Sequence, residues 1–193
     1  LLQELELEGV VQALGLERAG RQIVLLLEYV HGHNLSEEAD GAPMGVARFL
    51  PRALSMAEIL TRIHARRVIH RDIKPSNILI EAATDRIVFA DFGISVLLEN
   101  ERQHIYDPDV LAGTLPYVSP EQTGRTKREV DFRSDLYSLG VTFYELLTGA
   151  RPFEGDAPLE LIHAHLARRP TPPDRLMPVL PKRLSAIVMK LLE

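Results

Sequence analysis

The chain has 193 residues, 46% hydrophobic and 25% charged, with a net charge of -5. This is the composition of one ordinary globular domain, or one and part of another, and the acidic balance without a long basic run gives nucleic-acid binding no electrostatic support. The absence of cysteine excludes disulfides and thiolate metal sites and fits a reducing, cytoplasmic setting; the longest apolar run, Ile23 to Leu27, is too short to span a bilayer, and no signal peptide is evident.

The chain opens at Leu1 without an initiator Met, in an acidic-apolar pattern resembling a helix tail, and closes at Leu191-Leu192-Glu193 in mid-helix. Both ends read as cuts through structure. Val10 to Leu14 and Ile23 to Tyr29 are apolar stretches joined by polar Glu17 to Gln22, a pattern that predicts a two-stranded hairpin. A loop follows, broken by Gly32, Asp40, Gly41 and Pro43. From Gly45 to Arg66 the spacing of Leu50, Ala53, Leu54, Ala57, Leu60, Ile63 and His64 predicts one buried helical stripe. Ile78 to Ile80 and Ile87 to Ala90 predict a small hairpin turning at Thr84-Asp85. Ser134 reads as the N-cap of a strongly apolar helix from Asp135 to Leu147, ended by Gly149 and Pro152. A helix over Leu159 to Arg168, a Pro-rich connection and a last helix from about Leu184 complete the pattern.

Chemistry concentrates in His70-Arg71-Asp72-Ile73-Lys74-Pro75-Ser76-Asn77, on the loop between the long helix and the strand at Ile78. Asp91-Phe92-Gly93 follows, fourteen residues after Asn77, at the end of the second strand. Asp72, Asn77 and Asp91 can therefore leave the ends of adjacent strands toward one spot. Phosphoryl transfer asks for such a set: a carboxylate to take the proton of the attacking hydroxyl, oxygen ligands for Mg²⁺, and a cation for the charge on the transferred group. Asp72 suits the first task, Asn77 and Asp91 the second, Lys74 the third. Two side-chain oxygens suffice for Mg²⁺, which keeps water and takes phosphate oxygens.

His70 to Asn77, Asp91 to Gly93, and Ser119-Pro120-Glu121 match in order the signature set of protein kinases, and the chain resembles that family over nearly its whole length. The resemblance implies an α+β, kinase-like fold in truncated form. Residues 1–30 would be a remnant of the small β-rich lobe with its hinge. Residues 31–193 would be most of the helical lobe, with catalytic loop 70–77 and activation segment 91–121. It implies ATP and Mg²⁺ as cofactors and a protein Ser or Thr hydroxyl as acceptor. Lys74 is typical of serine/threonine kinases, and Thr114 would bridge Asp72 and Lys74 in the peptide platform. In the nucleotide pocket, Leu27 falls at the gatekeeper position, Glu28 and Val30 at the hinge, Asn34 near the ribose and Leu79 beneath the adenine. His70 and Phe92 resemble members of a stacked spine, and Asp135 the buried carboxylate that holds the loop's backbone.

The run from Gly113 to Arg125, with Arg133 to Gly140 and Leu159 to His163, is similar to the kinase-like domain of large bacterial hybrid sensor proteins, which continue into ATPase, GAF and histidine kinase modules. The family's glycine-rich loop, its ATP-anchoring Lys and the partner Glu are expected before Leu1, and the Arg that pairs with Glu121 after Glu193. The isolated 193 residues are therefore expected to bind ATP weakly and to have negligible activity. Between Gly93 and Gly113 the only hydroxyls are Ser95 and Tyr106. Glu99, Glu101, Asp107 or Asp109 is expected to meet Arg71 in place of a phosphate, so activity should not depend on phosphorylating this loop.

Bland alternatives accompany these readings. Asp and Asn favour turns, Lys74 could be a surface lysine, and Asp135 a first-turn carboxylate. Leu27, Leu79 and Phe92 would be apolar core in any fold. His163 and His165, two residues apart on a helix, face different ways, which argues against a metal site. Arg125 to Arg128 reads as a solvated basic loop. The alternative function is a non-catalytic regulatory module that binds nucleotide or partners inside a multidomain sensor.

Overall fold

A computed structural model describes residues 7–20, 22–92, 114–155 and 157–193. The first element is a hairpin of β1 (Ala13–Ala19) and β2 (Gln22–Leu27). The pairing runs from Ala13↔Leu27 to Ala19↔Gln22, so the strand expected over Val10 to Leu14 lies further along the chain. Glu17 and Arg18, read as connector, belong to the strand, because both faces of this hairpin are exposed and the apolar alternation that marks a half-buried strand is lost. Val10 is instead a buried bridge residue beside Phe89.

The segment expected to be loop contains β3 (Gly32–Asn34) and α1 (Leu35–Ala39). Its brevity hid the helix: five residues carry too little periodicity to read, yet Asn34 and Glu37 form a reciprocal cap at its start. β3 joins β4 (Ile78–Glu81) and β5 (Ile87–Phe89) in an antiparallel sheet of order β3-β4-β5. The predicted turn is present, with Asp85 in the left-handed region and its amide on the Glu81 carbonyl.

Against this sheet packs α2 (Val46–Ala65), whose buried residues Phe49, Met56, Ile59, Leu60 and Ile63 repeat at helical spacing. Of the expected stripe only Leu60 and Ile63 are buried; Leu50, Leu54 and Ala57 are exposed, because the core side of the helix is turned toward Phe49, Met56 and Ile59. Arg52, on the same face, is buried too, and its guanidinium binds Glu38 of α1 and Asp85 of the β4–β5 turn, tying three elements together. Next comes α3 (Phe132–Thr148), buried on nearly every side, then α4 (Pro158–Ala167), the short α5 (Pro173–Leu176) and α6 (Lys182–Leu191). α3 starts three residues earlier than the predicted helix. Its N-cap is Asp131, whose carboxylate accepts the Arg133 amide, while Ser134 is fully buried inside the helix.

The main core joins Leu35, Phe49, Leu60, Ile73, Ile78, Phe89, Leu146 and Val188, so the sheet, α2, α3 and α6 share one interior. Gly140 permits the close packing of α3 on α6: a Cβ there would lie 2.7 Å from the Leu191 Cβ. Among the described residues, no helix is long and apolar enough to cross a membrane.

Candidate active site

The loop from His70 to Asn77 leaves α2 and enters β4, and its shape is set from beneath by α3. Asp135, wholly buried, accepts the amide of His70 at 2.9 Å, the amide of Arg71 at 2.8 Å, and Nε2 of His64 lies 2.8 Å from it. A carboxylate is the right group for this, since it accepts several hydrogen bonds and donates none. Arg71 sits in the left-handed region, at φ 67°, a conformation that a β-carbon makes costly and that the surrounding bonds must hold.

His70 is fully buried and stacks on Phe92, with ring centroids 4.4 Å apart, and meets Phe89 edge-on. Burial pushes its pKa down, against the opposing pull of Asp135, Asp72 and Asp91, and so favours the neutral imidazole. Its Nδ1 accepts the amide of Asp72 at 3.3 Å. The expected ring stack is present and also serves as a backbone anchor.

Around Asp72 the side chains converge. Its Oδ2 accepts Nδ2 of Asn77 at 2.8 Å and lies 2.8 Å from Nζ of Lys74. Lys74 also donates to the Thr114 hydroxyl at 2.9 Å. Asn77 makes a second bond to the Asp72 carbonyl at 3.0 Å, so its amide nitrogen is committed inward and its carbonyl oxygen is left for another partner. The Asp72 Oδ1 is buried and, among the described residues, has no hydrogen-bond partner. The carboxylate thus has one oxygen fixed and one unengaged.

Asp91 is positioned by the sheet. Ile78 pairs with Phe89, and the Asn77 carbonyl accepts the Ala90 amide at 2.9 Å, which sets residue 91 just beyond the end of the ladder beside Asn77. Asp91 has φ 56°, a left-handed position that Asp tolerates better than most residues. Its neighbour Phe92 lies on His70, and its charge is felt at that ring. An amide oxygen and a carboxylate at adjoining strand ends are hard donors that suit Mg²⁺, and with phosphate oxygens they are enough.

The nucleotide-pocket expectations stand apart from this cluster. Leu27 pairs with Ala13 and is 41% exposed. Glu28 is bound to Gln12 by its amide and its carboxylate, and Val30 is half-buried after β2. Leu79 is the half-buried centre of β4, between Asn34 and Val88. Asn34 uses both ends of its amide on Glu37, as the cap of α1. No hydrogen bond among the described residues joins these five to the Asp72 cluster. Gly93, Gly113, Ser95, Glu99, Glu101, Tyr106, Asp107 and Asp109 lie outside the described residues.

Three participants escaped the sequence reading. Ser134 donates to Glu121 at 2.5 Å, a contact with the carboxylate for which an Arg beyond Glu193 was expected. His64 supports Asp135. Gln122 donates to the carbonyl of Arg71 at 2.8 Å. None carries a local signal, because each partner is distant in sequence.

The sequence profile of the protein kinase domain family matches residues 1–192. The serine/threonine-protein kinase pkn2 of Myxococcus xanthus is 38% identical over 198 residues, covering 100% of this chain and 24% of that protein. The serine/threonine-protein kinase PknB of Mycobacterium tuberculosis is 36% identical over 176 residues, covering 90% of this chain and 28% of that protein. A probable serine/threonine-protein kinase of Clostridium perfringens is 34% identical over 88% of this chain and 24% of its own length. The chain thus spans between 24% and 28% of these curated relatives.

Proposed function

The chain belongs to the protein kinase family, and on that premise we propose that it transfers the γ-phosphoryl group of MgATP to a Ser or Thr hydroxyl of a protein. The observation that carries the proposal is the Asp72 carboxylate, held at one oxygen by Lys74 and Asn77 while the other has no hydrogen-bond partner among the described residues.

In this reading Asp72 Oδ1 accepts the proton of the attacking hydroxyl. The acceptor oxygen bonds to the γ-phosphorus as the bond to the β–γ bridging oxygen breaks, and ADP leaves with the electron pair. Lys74, steadied by Asp72 and Thr114, places an ammonium beside the transferred group and offsets its charge. Asn77 Oδ1 and the Asp91 carboxylate would hold magnesium, which when bound supplies positive charge to the phosphates. Neutral, buried His70 keeps the loop in place without adding charge. A module that only binds partners has no use for an unengaged buried carboxylate oxygen beside an ammonium, so this geometry favours the enzyme over the non-catalytic alternative.

We assign residues 1–30 to the small lobe and hinge, with Leu27, Glu28, Val30, Asn34 and Leu79 around the adenine and ribose, and residues 31–193 to the helical lobe. We further propose, from the sequence resemblance of the Gly113 to Arg125 run to the kinase-like domain of bacterial hybrid sensor proteins, adjoining ATPase and sensor domains, a signalling role and a cytoplasmic location. The test uses the full-length gene product, labelled ATP and a Ser/Thr peptide library, with phosphoamino-acid analysis. Label on Ser or Thr that Asp72→Asn abolishes is the expected result; transfer that survives this substitution overturns the assignment.

A further inference from the structure

Several backbone polar groups around Asp72 have identifiable holders. Asp135 takes the amides of His70 and Arg71, His70 Nδ1 takes the amide of Asp72, and Asn77 Nδ2 reaches the carbonyl of Asp72. The carbonyl of Arg71 is held from outside the loop and α3. Its donor is Nε2 of Gln122, at 2.8 Å, from the short 3₁₀ turn Pro120–Thr123.

The orientation of that amide is not arbitrary. Gln122 Oε1 accepts both the amide of Ser119, at 3.2 Å, and the Ser119 hydroxyl, at 2.9 Å. The Ser119 amide can only donate and the Arg71 carbonyl can only accept, so the network admits a single placement of oxygen and nitrogen. The turn itself is anchored to α3, because its Glu121 accepts the hydroxyl of Ser134. Gln122 therefore transmits a fixed position on the turn to a residue whose left-handed φ of 67° needs outside support.

We propose that Gln122 is a positioning residue that grips the Arg71–Asp72 peptide and through it aims the Asp72 carboxylate, resting on the kinase reading for the consequence in catalysis. Asp135 and Gln122 clamp Arg71 from its two ends, amide and carbonyl. Loosening either end lets the peptide rotate out of the left-handed region and carries the carboxylate with it. Tension or displacement in the turn is by the same route felt at the proton acceptor, which links the segment that follows Thr114 to the chemistry without a direct contact.

Two substitutions separate the grip from the fold. Gln122→Glu keeps the size and can still accept from Ser119, but its carboxylate has no proton for the Arg71 carbonyl; Gln122→Met removes both contacts. In the full-length protein, each should lower kcat about tenfold, the worth of one well-placed hydrogen bond, with KM for ATP unchanged. Amide exchange of the peptide covering 70–74, followed by mass spectrometry, should rise about tenfold in both variants while the α3 and α6 peptides stay at wild-type rates. Wild-type exchange at 70–74 in both variants overturns the proposal, whether or not the protein turns over. Raised exchange in the variants, in a protein whose wild type transfers no phosphoryl group, would sink the kinase reading and leave the grip standing.

Discussion

The carboxylate of Asp135, near the start of α3, accepts the backbone amide of Arg71 at 2.8 Å across a sequence separation of 64 residues. A helix buried on nearly all sides thereby dictates the backbone of the one loop that carries the chemistry.

Asp135 is wholly buried and serves three donors. Asp135→Ala leaves two buried amides unsatisfied, at roughly 1–3 kcal/mol each, so a loss of about 3 kcal/mol or more is expected. Urea denaturation measures it. A shift of the midpoint worth under about 0.5 kcal/mol would mean that the loop holds its own shape.

Thr114 and Lys74 predict a different outcome, in rate and not in stability. Thr114→Val keeps the shape and removes the hydroxyl that accepts from Lys74. Stability should change little, while kcat falls about fivefold, in line with about 1 kcal/mol for one hydrogen bond. Thr114→Ser should recover most of the activity. Equal rates for the Val and Ser variants would count against a role for the hydroxyl.

His165 sets the acid limb of stability. Its ring is buried in α4, between Phe153 and Tyr137, with Nδ1 at 2.8 Å from the Tyr137 hydroxyl. Burial lowers its pKa from 6.5 to about 4, partly opposed by the carbonyls of Leu115 and Pro116. The unfolded chain therefore takes up a proton near pH 6.5 that the native protein refuses until about pH 4. Stability is complete above pH 6.5 and is lost as the pH falls through that window. Between pH 7.5 and 5.0 the loss from this one group is about 2 kcal/mol. His70, whose pKa burial also lowers, adds to the same slope. His165→Gln should flatten the dependence measured by denaturation at the two pH values; an unaltered slope would show that His165 protonates freely in the native state.

The cluster of Asp72, Lys74 and Asn77 was legible in the sequence because its residues are contiguous: His70 to Asn77 lie in one run, and Asp91 follows by one hairpin. The long helix and the β4–β5 hairpin were legible as elements, but the buried face of the helix was not, since Phe49, Met56 and Ile59 are buried where Leu50, Leu54 and Ala57 are exposed. β1 was displaced because its side chains are exposed on both faces, and a strand without a buried face leaves no alternation to detect. Ser134 looked like a cap and is instead a buried partner of Glu121, because Asp131 three residues earlier takes the capping position. Asn34 carries local capping chemistry as well, legible in principle through Glu37 three residues on.

The sequence by itself determined which functional groups are present and their spacing along the loop and hairpin, because backbone geometry over a few residues limits where neighbouring side chains can go. Tertiary structure decided which oxygen of Asp72 is engaged, which end of the Asn77 amide turns inward, and who holds Arg71 in a strained conformation. The last of these depends on Gln122 and Asp135, residues 51 and 64 positions away from Arg71. Hydrogen bonds are directional and short-ranged, so their assignment waits until packing has brought distant segments within about 3 Å.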